Sequence, residues 1–181
     1  MTRVKRLSQL SLLTAFSLCV YIIEAQLPPL TAIPGIKLGL SNIFTVVTFH
    51  LLGPIAALSQ LVVRILLGNL ITGHITSIGF SLSGGILAYL ILFTLQKIPQ
   101  NQLWAVSMLS AVMHNIGQLL LAAFVVGSGA VFWYFPILLL SALASGLLTG
   151  LTALYVLRKL MKNKAIINPI AKEQEMNSNG F

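Results

Sequence analysis

Long apolar stretches follow one another along almost the whole chain, and only short breaks containing Pro, Gly, Asn or Gln separate them. A helix needs about 20 apolar residues to cross a bilayer, and the stretches approach or reach that length. With 57% hydrophobic and 8% charged residues, and a mean hydropathy of +0.94, the chain is too apolar for a soluble globular domain. The predicted fold class is therefore an all-α membrane protein.

Six transmembrane helices fit the breaks. They are predicted at about residues 7–27, 37–52, 55–70, 76–96, 103–126 and 132–157. Helices 2 and 3 are short for a bilayer about 30 Å thick, so we expect them to be tilted, irregular or extended by their loops. A re-entrant hairpin is the competing interpretation. Residues 1–162 form one six-helix transmembrane domain in this scheme, and the polar residues 163–181 form a disordered cytoplasmic tail.

The chain has 11 Lys and Arg against three Asp and Glu residues, a formal net charge of +8, and nine of the basic residues predict the orientation. They lie before the first helix, in a central loop and after the last helix: Arg3, Lys5 and Arg6, then Lys97, then Arg158, Lys159, Lys162, Lys164 and Lys172. Positive charge concentrates on the cytoplasmic side of membrane proteins, so both termini are predicted to be cytoplasmic. This placement favours a lipid bilayer as the partner and argues against nucleic acid.

Polar residues on four of the helices fall at a similar depth, towards the outer side. A charge at the centre of a membrane helix costs about 2.5 to 3.5 kcal/mol, so such residues face one another or a water-filled cavity. We therefore predict an outward-facing pocket, and its cationic excess favours an anionic ligand. The candidate substrate-binding residues are Glu24, Lys37, Asn42, Arg64, His114, Asn115 and Gln118.

Structural roles compete with ligand binding at most of these positions. Glu24 is equally consistent with an ion pair to Arg64 or Lys37 that fixes the fold. Lys37, at the start of its helix, is also positioned to snorkel to the outer interface. His114 and Asn115 fit interhelical hydrogen bonds, which are common in membrane bundles. The Arg64 guanidinium is the strongest candidate, because its planar fork matches a carboxylate or phosphate.

The chain lacks the residues that several classes of enzyme require. The chain has no Asp, and its acidic residues besides Glu24 are Glu173 and Glu175, so it has no aspartate-rich motifs to hold magnesium and diphosphate. It also has no P-loop motif, and His50 and His74 have no ligand-like spacing with each other or with Cys19. The prediction is a protein that is not an enzyme and has no cofactor or metal.

Four segments carry a resemblance to a known family. They read IPGIKLGLSN at residues 33–42, RILLG at 64–68, FSLSGG at 80–85 and HNIGQ at 114–118. The chain resembles the Gx transporter family, which is also labelled heptaprenyl diphosphate synthase component I. That family is similar to the substrate-binding S components of energy-coupling factor (ECF) transporters.

This resemblance implies a six-helix S component in the bacterial plasma membrane. Such a protein captures a small molecule from outside and docks onto a membrane coupling subunit driven by two ATPases. Small residues on the first helix contact the coupling subunit, which here would be Ser11, Ala15 and Cys19. The implied substrate is an anionic vitamin-like or isoprenoid- or quinone-related compound. The alternative is a non-catalytic membrane subunit associated with heptaprenyl diphosphate synthase in isoprenoid or menaquinone biosynthesis.

Overall fold

The described part of the chain forms six α-helices. The computed structural model describes the backbone of residues 3–26 and 39–178, with the side chains as far as Leu160 and that of Lys162. The helices are α1 (Arg3–Ala25), α2 (Asn42–Leu52), α3 (Pro54–Thr72), α4 (Ser77–Thr94), α5 (Leu103–Val126) and α6 (Phe135–Ser178). Short 3-10 turns precede α5 and α6. The described residues contain no strand, so the all-α prediction is confirmed.

Five of these helices are long and apolar enough to cross a membrane: α1, α3, α4, α5 and α6. Helix α2 has only 11 residues, which corresponds to about 16 Å of helix. A span of the hydrocarbon core takes about 30 Å, so α2 alone covers about half of it. Six helices are confirmed among the described residues, whereas six membrane spans stay a prediction, because α2 begins at Asn42 instead of near residue 37 and has about half the length of a span.

The last helix also differs from the expected boundaries. It begins at Phe135, after a 3-10 turn at Gly129–Tyr134, and its backbone stays helical to Ser178. The helix therefore continues through the segment for which the composition predicts a disordered tail. Ala, Glu, Gln, Lys and Met in that segment have high helix propensity, whereas Pro169, also within the helix, has low propensity. The assignment of residues 163–181 to a separate cytoplasmic tail stays a prediction.

Helices α4, α5 and α6 pack almost backbone to backbone. A Cβ atom on Gly117 would lie 2.7 Å from the Ser83 carbonyl oxygen, and one on Gly84 would lie 2.7 Å from the His114 carbonyl oxygen. The Ser83 hydroxyl donates a hydrogen bond of 2.6 Å to the Gly117 carbonyl. Small residues let membrane helices approach this closely, so α4 and α5 form a rigid pair.

The corner between α2 and α3 is held from two sides. Gly53 has a φ of 91°, a conformation that glycine adopts without strain, and Pro54 begins α3. Arg6 donates a 2.7 Å hydrogen bond from Nη2 to the Leu52 carbonyl. Tyr89 donates a 3.0 Å hydrogen bond from its hydroxyl to the Pro54 carbonyl. Helices α1 and α4 are thereby tied to the corner at the end of α2 opposite Asn42.

The distribution of side chains is that of a protein in lipid. Large apolar side chains such as Ile55, Phe124 and Trp133 are exposed, each by more than 80%. The interior, in contrast, buries charged and polar side chains, including Glu24 and Arg64. Because lipid is an apolar solvent, polar groups in a membrane bundle collect inside it. The chain is a multi-pass membrane protein.

The close approach of α4 and α5 makes Gly117 sensitive to substitution. Gly117→Ala should destabilise the protein by about 1–3 kcal/mol, because the added methyl meets the backbone of α4. Thermal unfolding in detergent, followed by circular dichroism, measures the loss. Gly129→Ala is the control, since a Cβ there has no neighbour within 4 Å. Equal melting temperatures for the two variants would contradict this packing.

Candidate functional site

Polar side chains from five helices converge on one cavity, which we call the Arg64 cavity. It lies between α1, the turn before α2, and helices α3, α4 and α5, and it leaves room for about one water molecule. Its lining residues are Tyr21, Glu24, Gly39, Ser41, Asn42, Arg64, Ile65, Ser81, His114 and Gln118. The convergence brings together five candidate residues from the sequence: Glu24, Asn42, Arg64, His114 and Gln118.

Arg64 is the central side chain of this cavity and is only 2% exposed. Its Nη1 donates a hydrogen bond to the Ser41 hydroxyl, and its Nη2 donates one of 3.0 Å to Asn42 Oδ1. Its Nε has no hydrogen-bond partner among the described residues. A guanidinium has five N–H donors, so these two bonds leave donor capacity unused. The matching group is one rich in acceptors, such as a carboxylate or phosphate.

Glu24 holds the start of α2. The Gly39 N–H donates to its Oε1, and the Ser41 N–H donates to its Oε2 over 3.5 Å. Helix N-termini present unpaired N–H groups and a positive dipole end, both of which favour a carboxylate. Glu24, which is 5% exposed, therefore supplies from α1 the acceptor that the beginning of α2 requires. Both of its oxygens are engaged in this contact.

Ser41 connects the two charged groups. Its N–H donates to Glu24, its hydroxyl accepts from Arg64, and its carbonyl accepts a 3.2 Å hydrogen bond from the Ser17 hydroxyl. Glu24 and Arg64, which the sequence suggested as a direct ion pair, are thus both hydrogen-bonded to Ser41. Sequence reasoning did not select Ser41 as a site residue. Its position just before the apolar run of α2 is the signal that could have found it.

Tyr21 forms a wall of the cavity next to Arg64. The guanidinium carbon of Arg64 lies 5.9 Å from the centroid of the Tyr21 ring. The Tyr21 hydroxyl is 3.2 Å from the Ser81 hydroxyl, and the ring packs against Gly68, where a Cβ would come within 2.4 Å of it. Tyr21 was also missed. With Ser17 and Glu24 it follows the i, i+4, i+7 spacing of one helix face, which is a detectable pattern.

Two candidate residues do not join this group. Asn115 donates a 2.8 Å hydrogen bond from Nδ2 to the Leu138 carbonyl on α6, which is the interhelical contact considered as its alternative role. The second residue, Lys37, lies outside the described residues.

His114 and Gln118, by contrast, line the cavity and are separated by one helical turn.

The candidate partner-binding residues share one side of α1. Ser11, Ala15 and Cys19 are exposed, whereas Ser17, Tyr21 and Glu24 on the other side of the helix are buried. The small residues therefore form a surface stripe that the rest of the described chain leaves uncovered. Within the described residues, no group of three or more His, Cys, Asp or Glu side chains is arranged to hold a metal ion.

The five long apolar helices, the apolar exterior and the buried Arg64 cavity define a multi-pass helical membrane protein with an internal polar site. The family model described as heptaprenyl diphosphate synthase component I matches residues 13–156, so the chain belongs to that family. This match confirms the family resemblance found in the sequence. Comparison with curated proteins and with solved structures finds no match.

The contacts of Glu24 generate a test of its structural role. Glu24→Gln keeps the shape but replaces one acceptor oxygen by an NH₂ group that faces backbone N–H donors. We expect a loss of about 1–3 kcal/mol of stability, because a buried donor loses its partner. The melting temperature in detergent measures it, with Glu173→Gln as a control that removes a carboxylate near the far end of α6. An unchanged melting temperature for Glu24→Gln would rule out the capping role.

Proposed function

We propose that this chain is the substrate-binding subunit, similar to an S component, of an energy-coupling factor type uptake transporter. Its substrate is a small anionic compound, vitamin-like or related to isoprenoids or quinones. Both termini are cytoplasmic in this proposal, and the protein resides in the bacterial plasma membrane. The chain itself is non-catalytic, and a membrane coupling subunit with two ATPases supplies the energy.

One observation carries the proposal: a buried arginine with unused hydrogen-bond donors lies in a cavity between membrane helices. Arg64 is 2% exposed, and its Nε has no partner among the described residues. Ionisable side chains inside membrane bundles are costly and mark ligand or ion pathways. Because both oxygens of Glu24 accept backbone N–H groups, the free hydrogen-bonding capacity of Arg64 favours an acceptor-rich ligand.

The exposed stripe on α1 supports the partner in this proposal. Ser11, Ala15 and Cys19 are exposed although they are too small to contribute much to a lipid-facing apolar surface. Small residues allow the backbones of two membrane helices to approach closely. A helix of the coupling subunit packing on this stripe would leave the Arg64 cavity on the opposite side of α1 unobstructed.

The second candidate function follows from the name of the family. A non-catalytic membrane subunit associated with heptaprenyl diphosphate synthase would act in isoprenoid or menaquinone biosynthesis. It would pair with a separate soluble enzyme that carries the aspartates this chain lacks. The buried guanidinium favours the transporter, because anchoring a soluble enzyme does not require a cation with unused hydrogen-bond donors inside the bundle.

A purification from the native host distinguishes the two functions and tests Arg64. Tagged wild-type protein in mild detergent should retain two ATPases, a membrane coupling subunit and a small anion, all identified by mass spectrometry. Arg64→Gln should lose the anion, with at least a tenfold drop in its recovery, because a hydrogen-bonded charge contributes on the order of 1.5–3 kcal/mol. Arg158→Gln, which changes an exposed arginine on α6, should retain it.

Two results would contradict the transporter. Recovery of a soluble prenyl diphosphate synthase without ATPases would support the alternative function instead. Equal anion recovery from Arg64→Gln and the wild type would remove Arg64 from the binding site.

The α1 stripe has a separate test. Ala15→Trp should abolish co-purification of the ATPases and leave the retained anion unchanged, because the bulky ring blocks close helix contact but lies outside the Arg64 cavity. Ala144→Trp makes the same change at an exposed position of α6 and should keep the ATPases. Retention of the ATPases by Ala15→Trp would place their docking surface elsewhere.

A further inference from the structure

Two further spaces of similar size share lining residues with the Arg64 cavity. One lies between α2, α3, α4 and α5, and most of its lining residues are apolar: Val46, Leu61, Ala88, Tyr89 and Leu92, with Gly85. Asn42, Thr45 and Ser110 also line it, and the Thr45 and Ser110 hydroxyls are already hydrogen-bonded, to Gln60 and to the Ala88 carbonyl. We call this space the apolar cleft. The other lies between α2, α5 and α6, and half of its lining residues carry hydroxyl groups: Ser107, Ser110, Ser145 and Thr149. Asn42 lines all three spaces.

The position of Asn42 depends on Arg64. Its Oδ1 accepts a 3.0 Å hydrogen bond from Arg64 Nη2, one of the two nitrogens that a carboxylate or phosphate would engage. Each of the two Nη nitrogens carries two N–H groups, so an acceptor group binds the remaining N–H groups of Arg64 beside this contact. The head of a ligand at Arg64 therefore lies next to Asn42, the residue that lines all three spaces.

We infer that the ligand is an amphiphile, with an acceptor-rich anionic head at Arg64 and an apolar tail or ring that passes Asn42 into the apolar cleft. This inference rests on the proposed function and narrows its substrate class. The polar lining around Arg64 and the aliphatic lining of the cleft match the two parts of such a molecule. Apolar surface is stabilised by burial against apolar side chains, and anionic groups by paired donors.

The hydroxyl-lined space is the poorer place for the tail. The Ser107 hydroxyl is buried and has no hydrogen-bond partner among the described residues. An apolar group beside it would leave that hydroxyl unpaired, which is unfavourable. The cleft presents instead Leu61 and Leu92, whose side chains make no such demand, and its Thr45 and Ser110 hydroxyls already have hydrogen-bond partners.

A series of alkyl phosphates and matched alkyl carboxylates tests the inference. Methyl, butyl and hexyl phosphate, with acetate, pentanoate and heptanoate, are titrated into full-length protein in nanodiscs of zwitterionic lipid. Affinity should rise by up to about fourfold for each methylene that enters the cleft. The matching alkyl alcohols, which lack the anionic head, should bind at least tenfold more weakly. Affinity that does not rise with chain length overturns the inference.

Variants assign the chain-length effect to the cleft. Ala88→Leu fills it and should abolish the gain from butyl and hexyl chains while leaving methyl phosphate or acetate binding unchanged. Ala144→Leu, at an exposed position of α6, should keep the full gain. A full gain in Ala88→Leu overturns the assignment of the cleft. If Ala88→Leu fails to fold, the chain-length series on the wild-type protein still tests the inference.

The same titrations separate this inference from the proposed function. If methyl phosphate or acetate binds and Arg64→Gln abolishes that binding, the anion site stands even where a longer chain adds nothing. If no phosphate or carboxylate of any length binds, the anion site itself fails. Competition by anionic phospholipid added to the nanodiscs would assign the amphiphile to the bilayer, and absence of competition would assign it to a single-chain ligand.

Discussion

The buried guanidinium of Arg64 is the constraint on which the rest of the interior depends. A charge inside a membrane bundle is tolerated only where polar groups surround it, and three other elements supply them. The turn before α2 contributes Ser41, the first residue of α2 contributes Asn42, and α1 contributes Tyr21 and Glu24. The packing of α1 and α2 against α3 therefore surrounds the Arg64 guanidinium with polar groups.

The half-length of α2 follows from the same constraint. A helix that crossed the whole bilayer would carry its N-terminus to the interface and away from Arg64. Beginning at Asn42, α2 instead has its N-terminus beside the cavity, and the Glu24 carboxylate from α1 accepts the N–H groups that precede it. Irregular backbone at membrane depth is tolerated where it lines a cavity, and the turn at residues 39–41 does so. A membrane helix that ends inside the bundle is a common way to build a ligand site.

The sequence predicts the long helices and the main cavity residues for a simple reason. In lipid the only favourable place for a polar side chain is the interior, so Glu24, Arg64, His114 and Gln118 are forced towards one another. Asn115 is different because neighbouring residues on a helix point about 100° apart, and its side chain contacts α6 instead. Hydropathy does not reveal that difference, since both faces of α5 are covered by other helices.

Other features depend on contacts between residues distant in the chain and so leave little local signal. The start of α2 is determined by Glu24, which lies in another helix, and the role of Ser41 depends on Glu24, Arg64 and Ser17 together. A single hydroxyl residue in an apolar chain most often makes a local contact to its own helix, so the position of Ser41 just before the apolar run of α2 is the one local signal that distinguishes it. The spacing of Ser17, Tyr21 and Glu24 is the one local pattern that indicates the inner face of α1.

The most direct test of the anion site is a high-resolution structure of the protein purified from its native membrane together with its bound small molecule. The account predicts an acceptor-rich group within hydrogen-bonding distance of the Arg64 guanidinium, with Glu24 still bound to the backbone before α2. A guanidinium contacted only by Ser41, Asn42 and water, with the small molecule bound elsewhere, would contradict it.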